Sequence, residues 1–208
     1  MRRVAGRSVA MDYRQIGREG REIMRPLRFI AAILALLLPG AALAQTDLTQ
    51  THPMIDAAAI GNADVVEYWL KRGVRADVAD DEGRTSLIFG AFVGSMDIVE
   101  LTLAGGAIVD RQDKGGSSAL VWAASQGELE IVERLIEAEA NVNLQNGQGQ
   151  TSLMMSSAAG YYDIVQILLD NSADPTVLDY TGRSALDWAR DSRDPDVIRL
   201  LERAEKGR

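Results

Sequence analysis

The chain has 208 residues, 47 % hydrophobic and 25 % charged, an ordinary globular composition that excludes a disordered chain and suffices for one domain with a real core. Its formal charge of −8 is unevenly placed: residues 1–44 carry eight arginines against three acids, so the remainder, with 14 basic and 27 acidic residues, stands at −13. Such a surface repels nucleic acid phosphates and anionic membranes and favours basic partners.

The segment Arg25-Pro-Leu-Arg is followed by an apolar run from Phe29 to Leu38, a Pro39-Gly40 break, and small residues at Ala42 and Ala44. This is the layout of a secretory signal over residues 24–44, with cleavage expected after Ala44 and a mature start at Gln45. The run is about half of the roughly 20 residues that a spanning helix needs, so an uncleaved anchor is the weaker alternative. Met24 stands directly before the basic pair, which makes residues 1–23 a start-site extension with Met24 as the expected initiator. Export with no cysteine in the chain means a fold without disulfides in an oxidising compartment, and a bacterial periplasm fits this best.

Beyond Gln45 the chain aligns with itself. Thr85, Ser118, Thr151 and Ser184 follow one another at a step of 33 residues, with His52 one step earlier. The third residue of each unit is Met54, Leu87, Leu120, Leu153 or Leu186. Small pairs follow at Ala57-Ala58, Gly90-Ala91, Ala123-Ala124 and Ser156-Ser157, which let helices approach closely. A break comes at Gly61, Gly94, Gly127 and Gly160. A second helix then opens on Asp64, Asp97, Glu130, Asp163 or Asp196, acids expected to accept free N–H groups and complement the helix dipole. Its apolar pairs, such as Leu135-Ile136 and Leu168-Leu169, have helical spacing. Each unit closes at Gly73, Gly106, Ala140 or Ala173, then a hairpin with Asp77, Asp110 or Asn143 and a turn glycine at 83, 116, 149 or 182.

With these columns in view, the chain resembles the ankyrin repeat family. The family's junction, Gly, one residue, then Thr-Pro-Leu-His, is matched by Gly83-Arg-Thr-Ser-Leu-Ile, Gly116-Ser-Ser-Ala-Leu-Val, Gly149-Gln-Thr-Ser-Leu-Met and Gly182-Arg-Ser-Ala-Leu-Asp. The resemblance implies an all-α solenoid of about five helix-turn-helix units with short β-hairpin tips, over residues 52–84, 85–117, 118–150, 151–183 and 184–208 of a 45–208 domain. It also implies a recognition scaffold that binds through hairpin tips and first helices lining a concave face. Departures are the loss of the family's His, with Ile55, Ile88, Val121, Met154 and Asp187 in its place, and of glycine at Glu139 and Ser172. The hydrogen bonds that His makes between repeats are therefore unavailable. The fifth unit, with Arg190 and Arg193 at small or glycine positions, reads as a polar cap.

The single His52 has no histidine or cysteine companion, so neither catalysis nor metal binding is expected, and no cofactor. Gly115-Gly116-Ser-Ser and Asn146–Gly149 fall in hairpin turns and do not continue as a phosphate loop. Binding is expected instead at the fifth, eighth and ninth positions of first helices, Phe89, Trp122, Met155 and Trp188 with Phe92, and at tip residues Asp81, Glu82, Lys114, Gln148, Tyr180 and Arg183. The same large side chains serve equally well as filling for the seams between helices. Replacing Trp122 and Tyr180 by alanine is expected to abolish capture of a partner without altering unfolding. The expected function is a non-enzymatic, monomeric, periplasmic scaffold for a protein partner with a basic surface, with no nucleic acid and no membrane contact after signal cleavage. A more specific form is an immunity-type inhibitor of a secreted toxic enzyme; the rival from another class is an exported carboxylate-based hydrolase.

Overall fold

A hydroxyl at the first place of each unit starts its first helix. The side-chain oxygens of Thr85, Ser118, Thr151 and Ser184 accept the N–H three residues ahead, at 3.3–3.4 Å, filling one of the four donors a helix N-terminus leaves free. In the first unit the cap is His52, whose Nδ1 accepts from Met54 N at 3.1 Å ahead of Pro53. The computed structural model describes residues 51–206; the expected extension 1–23 and signal 24–44 lie outside them.

Among the described residues there are ten helices in five pairs: α1 Pro53–Ala59 and α2 Ala63–Lys71, α3 Ser86–Val93 and α4 Met96–Ala104, α5 Ala119–Gln126 and α6 Leu129–Glu137, α7 Ser152–Ala159 and α8 Tyr162–Asp170, α9 Ala185–Ser192 and α10 Pro195–Lys206. The first helices of the second to fifth units end on a left-handed residue: Gly94, Gly127, Gly160 and, in the last unit, Arg193. The tips are turns rather than paired strands: the one β-bridge among the described residues joins Ala79 and Thr85.

The acids of the second helices complement the dipole but do not cap. The capping side chains sit two residues earlier, where Asn62, Ser95 and Asp194 accept from Val65, Ile98 and Val197. Asp64, Asp97, Glu130, Asp163 and Asp196 lie in the first turn.

The first helices pack against one another more extensively than the second helices do. The small pairs also bring each first helix close to its own second helix: a Cβ on Gly90 would lie 2.9 Å from Ile98, so α3 and its partner α4 meet at the limit of contact. The first-helix row is thus the more closely packed side of the stack, the side on which the resemblance implies the concave face. Leu120, Leu135, Leu153, Met154 and Leu168 form the centre of one continuous apolar core, and Met54, Val66 and Ile98 a smaller one at the first unit.

Other bonds join successive repeats. Asp77, Asp110 and Asn143 each accept, at 2.7–2.9 Å, a backbone N–H 31 residues ahead, from Ile108, Asn141 and Asp174. Successive tips are joined by Lys114 N to Glu82 O, Gly147 N to Gly115 O and Tyr180 N to Gln148 O, at 2.7–3.0 Å. Gln112 and Gln145 add side-chain donors to the next tip, on Gln145 O and Leu178 O.

Candidate protein-binding surface

Each tip is built on one column, Asp80, Asp113, Asn146 and Asp179. The Oδ1 atom folds back over its own turn and accepts N–H groups ahead of it. These are Glu82 and Arg84 for Asp80, Ser117 for Asp113, Gln148 and Gln150 for Asn146, and Thr181 and Arg183 for Asp179, all at 2.8–3.0 Å. The second side-chain atom reaches the first helix. Trp122 Nε1 donates to Asp113 Oδ2 and Trp188 Nε1 to Asp179 Oδ2, both at 3.0 Å. Where the fifth residue is Met155, with no N–H to give, the column holds Asn146, whose Nδ2 donates to Gln150 instead at 3.1 Å. The step of 33 marks this column too, three residues beyond Asp77, Asp110 and Asn143.

These bonds set the charge of the tips. Burial alone would raise the Asp80 carboxyl, but the hydrogen bonds and charge of Arg84 outweigh it and hold it below its ordinary value. Burial likewise opposes, and the donors Thr181, Arg183 and Trp188 overcome, at Asp179. Asp187 is lowered by the Ser184 N–H first, against burial, with help from the Ser184 hydroxyl and Arg190.

Phe89, Trp122, Met155 and Trp188 are all half-buried, so each has one side in the seam between helices and another toward solvent. Trp122 and Trp188 pack on the main core, and Phe89 on the smaller one. At the two ends of the row an arginine lies over the ring: Arg84 at 4.9 Å from the Phe89 centroid, and Arg183 at 4.0 Å from that of Trp188. Arg183 is further engaged by Asp191. In the two middle units the same column holds Ser117 and Gln150, which carry no cation to cover Trp122 or Met155. Phe92 meets Trp122 edge to face at 5.2 Å. The structure thus brings together Phe92 and Trp122, and separately Arg183 and Trp188.

Asp81, Glu82, Lys114, Gln148 and Tyr180 are exposed at the tips; Tyr180 is 74 % accessible although its ring lies over the Gly149 turn. Leu178, 53 % accessible in the same last tip, went unnoticed in the sequence. It stands where Gln112 and Gln145 reach forward to a following tip, so an apolar residue at that place was the available signal.

The expectation that alanine at Trp122 leaves stability unchanged is corrected. The indole is packed on the core and bonded to Asp113, so its removal loses burial as well as any contact with a partner. The acids that do gather lie elsewhere: Asp64, Glu67, Asp97 and Glu100 line an open groove between α2 and α4, with Glu100 bonded to Arg134 at 2.7 Å. A general acid needs a raised pKa, and Asp80, Asp179 and Asp187 are each held below the ordinary value instead. Among the described residues no group of three or more His, Asp and Glu side chains is placed to hold a metal ion, and no helix is long and apolar enough to cross a membrane.

A stack of helix pairs with a tied row of tips and a half-open aromatic wall defines a solenoid of the recognition type. The chain belongs to the ankyrin repeat family: the family model described as "Ankyrin repeats (3 copies)" matches residues 54–146, 90–179 and 120–207. No curated protein matches the chain. Ankyrin repeats point to a protein–protein interaction scaffold, and the family is generally non-catalytic.

Proposed function

We propose that this protein is a non-enzymatic periplasmic scaffold that holds one protein partner on the inner wall of its stack, centred on Phe92, Trp122 and Met155 and flanked by the tips. The observation that carries the reading is the uncovered middle of the row. Arginines lie over the outer rings, at Phe89 and Trp188, while Ser117 and Gln150 leave the faces of Trp122 and Met155 without such a cover. Aromatic and methionine side chains at the centre of a patch with a charged rim have the composition of an interface core. The charge of −13 beyond residue 44 favours a partner with a basic surface.

The export half rests on the basic, apolar and small-residue pattern of residues 24–44. Protein recovered from the periplasm of an expressing bacterium should begin at Gln45 on N-terminal sequencing; a chain kept in the cytoplasm with Met24 or Met1 in place refutes it. The binding half is tested by capture from periplasmic extract on the immobilised protein. The variant Met155→Gln with Tyr180→Ala should lose the captured protein while its urea midpoint stays near that of the parent, since Tyr180 is mostly exposed and Met155 only half-buried. Undiminished capture by that variant refutes the assigned surface.

A further inference from the structure

Asn146 is followed by glycine, and this is the one Asn-Gly pair in the chain. Glycine offers least hindrance to attack of a backbone nitrogen on the preceding side-chain amide. The Gly147 nitrogen, once deprotonated, bonds to Asn146 Cγ, ammonia leaves, and a five-membered succinimide closes. Water then opens the ring at one carbonyl or the other, giving aspartate or the β-linked isoaspartate. The balance is one water consumed and one ammonia released, so no other reactant is needed.

We propose that Asn146 is a deamidation site which the folded stack holds closed, and which reacts when the tie between the second and third repeats opens. Each atom of the reaction is engaged. The Gly147 N–H donates to Gly115 O of the preceding tip at 2.7 Å, so the attacking nitrogen is tied to a neighbouring repeat. The Asn146 Oδ1 accepts from Gln148 N and Gln150 N, both at 2.9 Å, and Nδ2 donates to Gln150 Oε1 at 3.1 Å, which fixes the amide plane. Asn146 as a residue is only 6 % accessible, although Gly147 beside it is exposed. The glycine cannot readily be exchanged, because a Cβ at position 147 would lie 2.7 Å from Gly115 O. The close approach between tips that suppresses the reaction is also what keeps the reactive pair in place.

The two products differ in what they do to the fold. Aspartate already occupies this column in the other three tips, where its Oδ1 takes the equivalent N–H bonds of Asp80, Asp113 and Asp179. At position 146 its second oxygen accepts from Gln150 once that amide turns over. Isoaspartate puts an extra methylene into the backbone and shortens the arm, so the two N–H groups of Gln148 and Gln150 lose their acceptor. The site therefore records time spent open, one product being silent and the other damaging to the third tip.

The test is peptide mapping by mass spectrometry of the full chain incubated at one mildly alkaline pH, folded and in urea beyond the unfolding midpoint. Asn62 and Asn171 serve as references in the same maps. Conversion at Asn146 should be at least about tenfold slower in the folded protein, as protection by a closed state requires; equal rates in both conditions overturn the proposal. The variant Asn146→Asp should refold with the urea midpoint of the parent, while the isoaspartate fraction separated after reaction should unfold at lower urea. A destabilised or unfolded Asn146→Asp protein, or an isoaspartate fraction as stable as the parent, overturns the assignment of the two products.

Discussion

Glycine restored where this chain has lost it should stabilise the stack. The second helix of each of the first four units runs into a left-handed residue, which is Gly73 in the first unit (φ 84°) and Gly106 in the second (φ 79°), but Glu139 in the third (φ 64°) and Ser172 in the fourth (φ 69°). A Cβ at Gly73 or Gly106 would meet nothing within 4 Å, so the penalty at this place is conformational rather than one of crowding. The left-handed region costs a residue with a Cβ about 1–2 kcal/mol. Glycine loses roughly 0.5–1 kcal/mol more chain entropy on folding, which offsets part of the gain. Glu139→Gly and Ser172→Gly should each therefore add about 0.5–1 kcal/mol. Because the two side chains share no partner, the double variant should approach the sum. For a domain of this size that raises the unfolding temperature by about 2–8 °C. Urea denaturation followed by circular dichroism reads it directly, with an unchanged slope and a higher midpoint. A midpoint that stays or falls in both single variants would refute the reasoning, and with it the claim that these turns are held under strain.

Three further outcomes follow from the same columns. The Ser157 hydroxyl is fully buried and has no partner, while the same column holds Ala58, Ala91 and Ala124, so Ser157→Ala should stabilise by about 1 kcal/mol in the same denaturation assay. Trp122→Phe and Asp113→Asn, made singly and together, should show a coupling of about 1 kcal/mol in a double-mutant cycle; no coupling means that the indole N–H bond contributes nothing. The folded-state pKa values of Asp80, Asp179 and Asp187 are lowered, so the stability they contribute is complete above the unfolded carboxylate value of about 4 and is lost as pH falls through their folded values. Asp179→Asn should accordingly cost stability near neutral pH and progressively less below about pH 4, a trend that denaturation midpoints across that range would show or contradict.

The fold was legible because a repeat states its rule several times. One Gly-Arg-Thr-Ser-Leu segment carries little weight, but caps at Thr85, Ser118, Thr151 and Ser184, each a step of 33 apart, leave one architecture. The surface was harder to read for a physical reason. The sequence shows that Phe89, Trp122, Met155 and Trp188 occupy one column, but not what lies over each ring, since that depends on whether a side chain five residues earlier is long and charged. Arg84 and Arg183 over the outer rings, and their absence from the middle units, became apparent only with the tips in place. The same holds for Trp122: its column suggested a free anchor, and the bond to Asp113 makes it part of the frame as well.

On this reading the middle of the inner wall captures a protein. The most direct measurement is binding of the partner recovered from periplasmic extract to the parent and to Met155→Gln with Tyr180→Ala, by titration calorimetry, with urea unfolding of both proteins alongside. Affinity should weaken by at least about tenfold, or about 1.4 kcal/mol, with unfolding midpoints that nearly coincide. Equal affinity in the two proteins would contradict it.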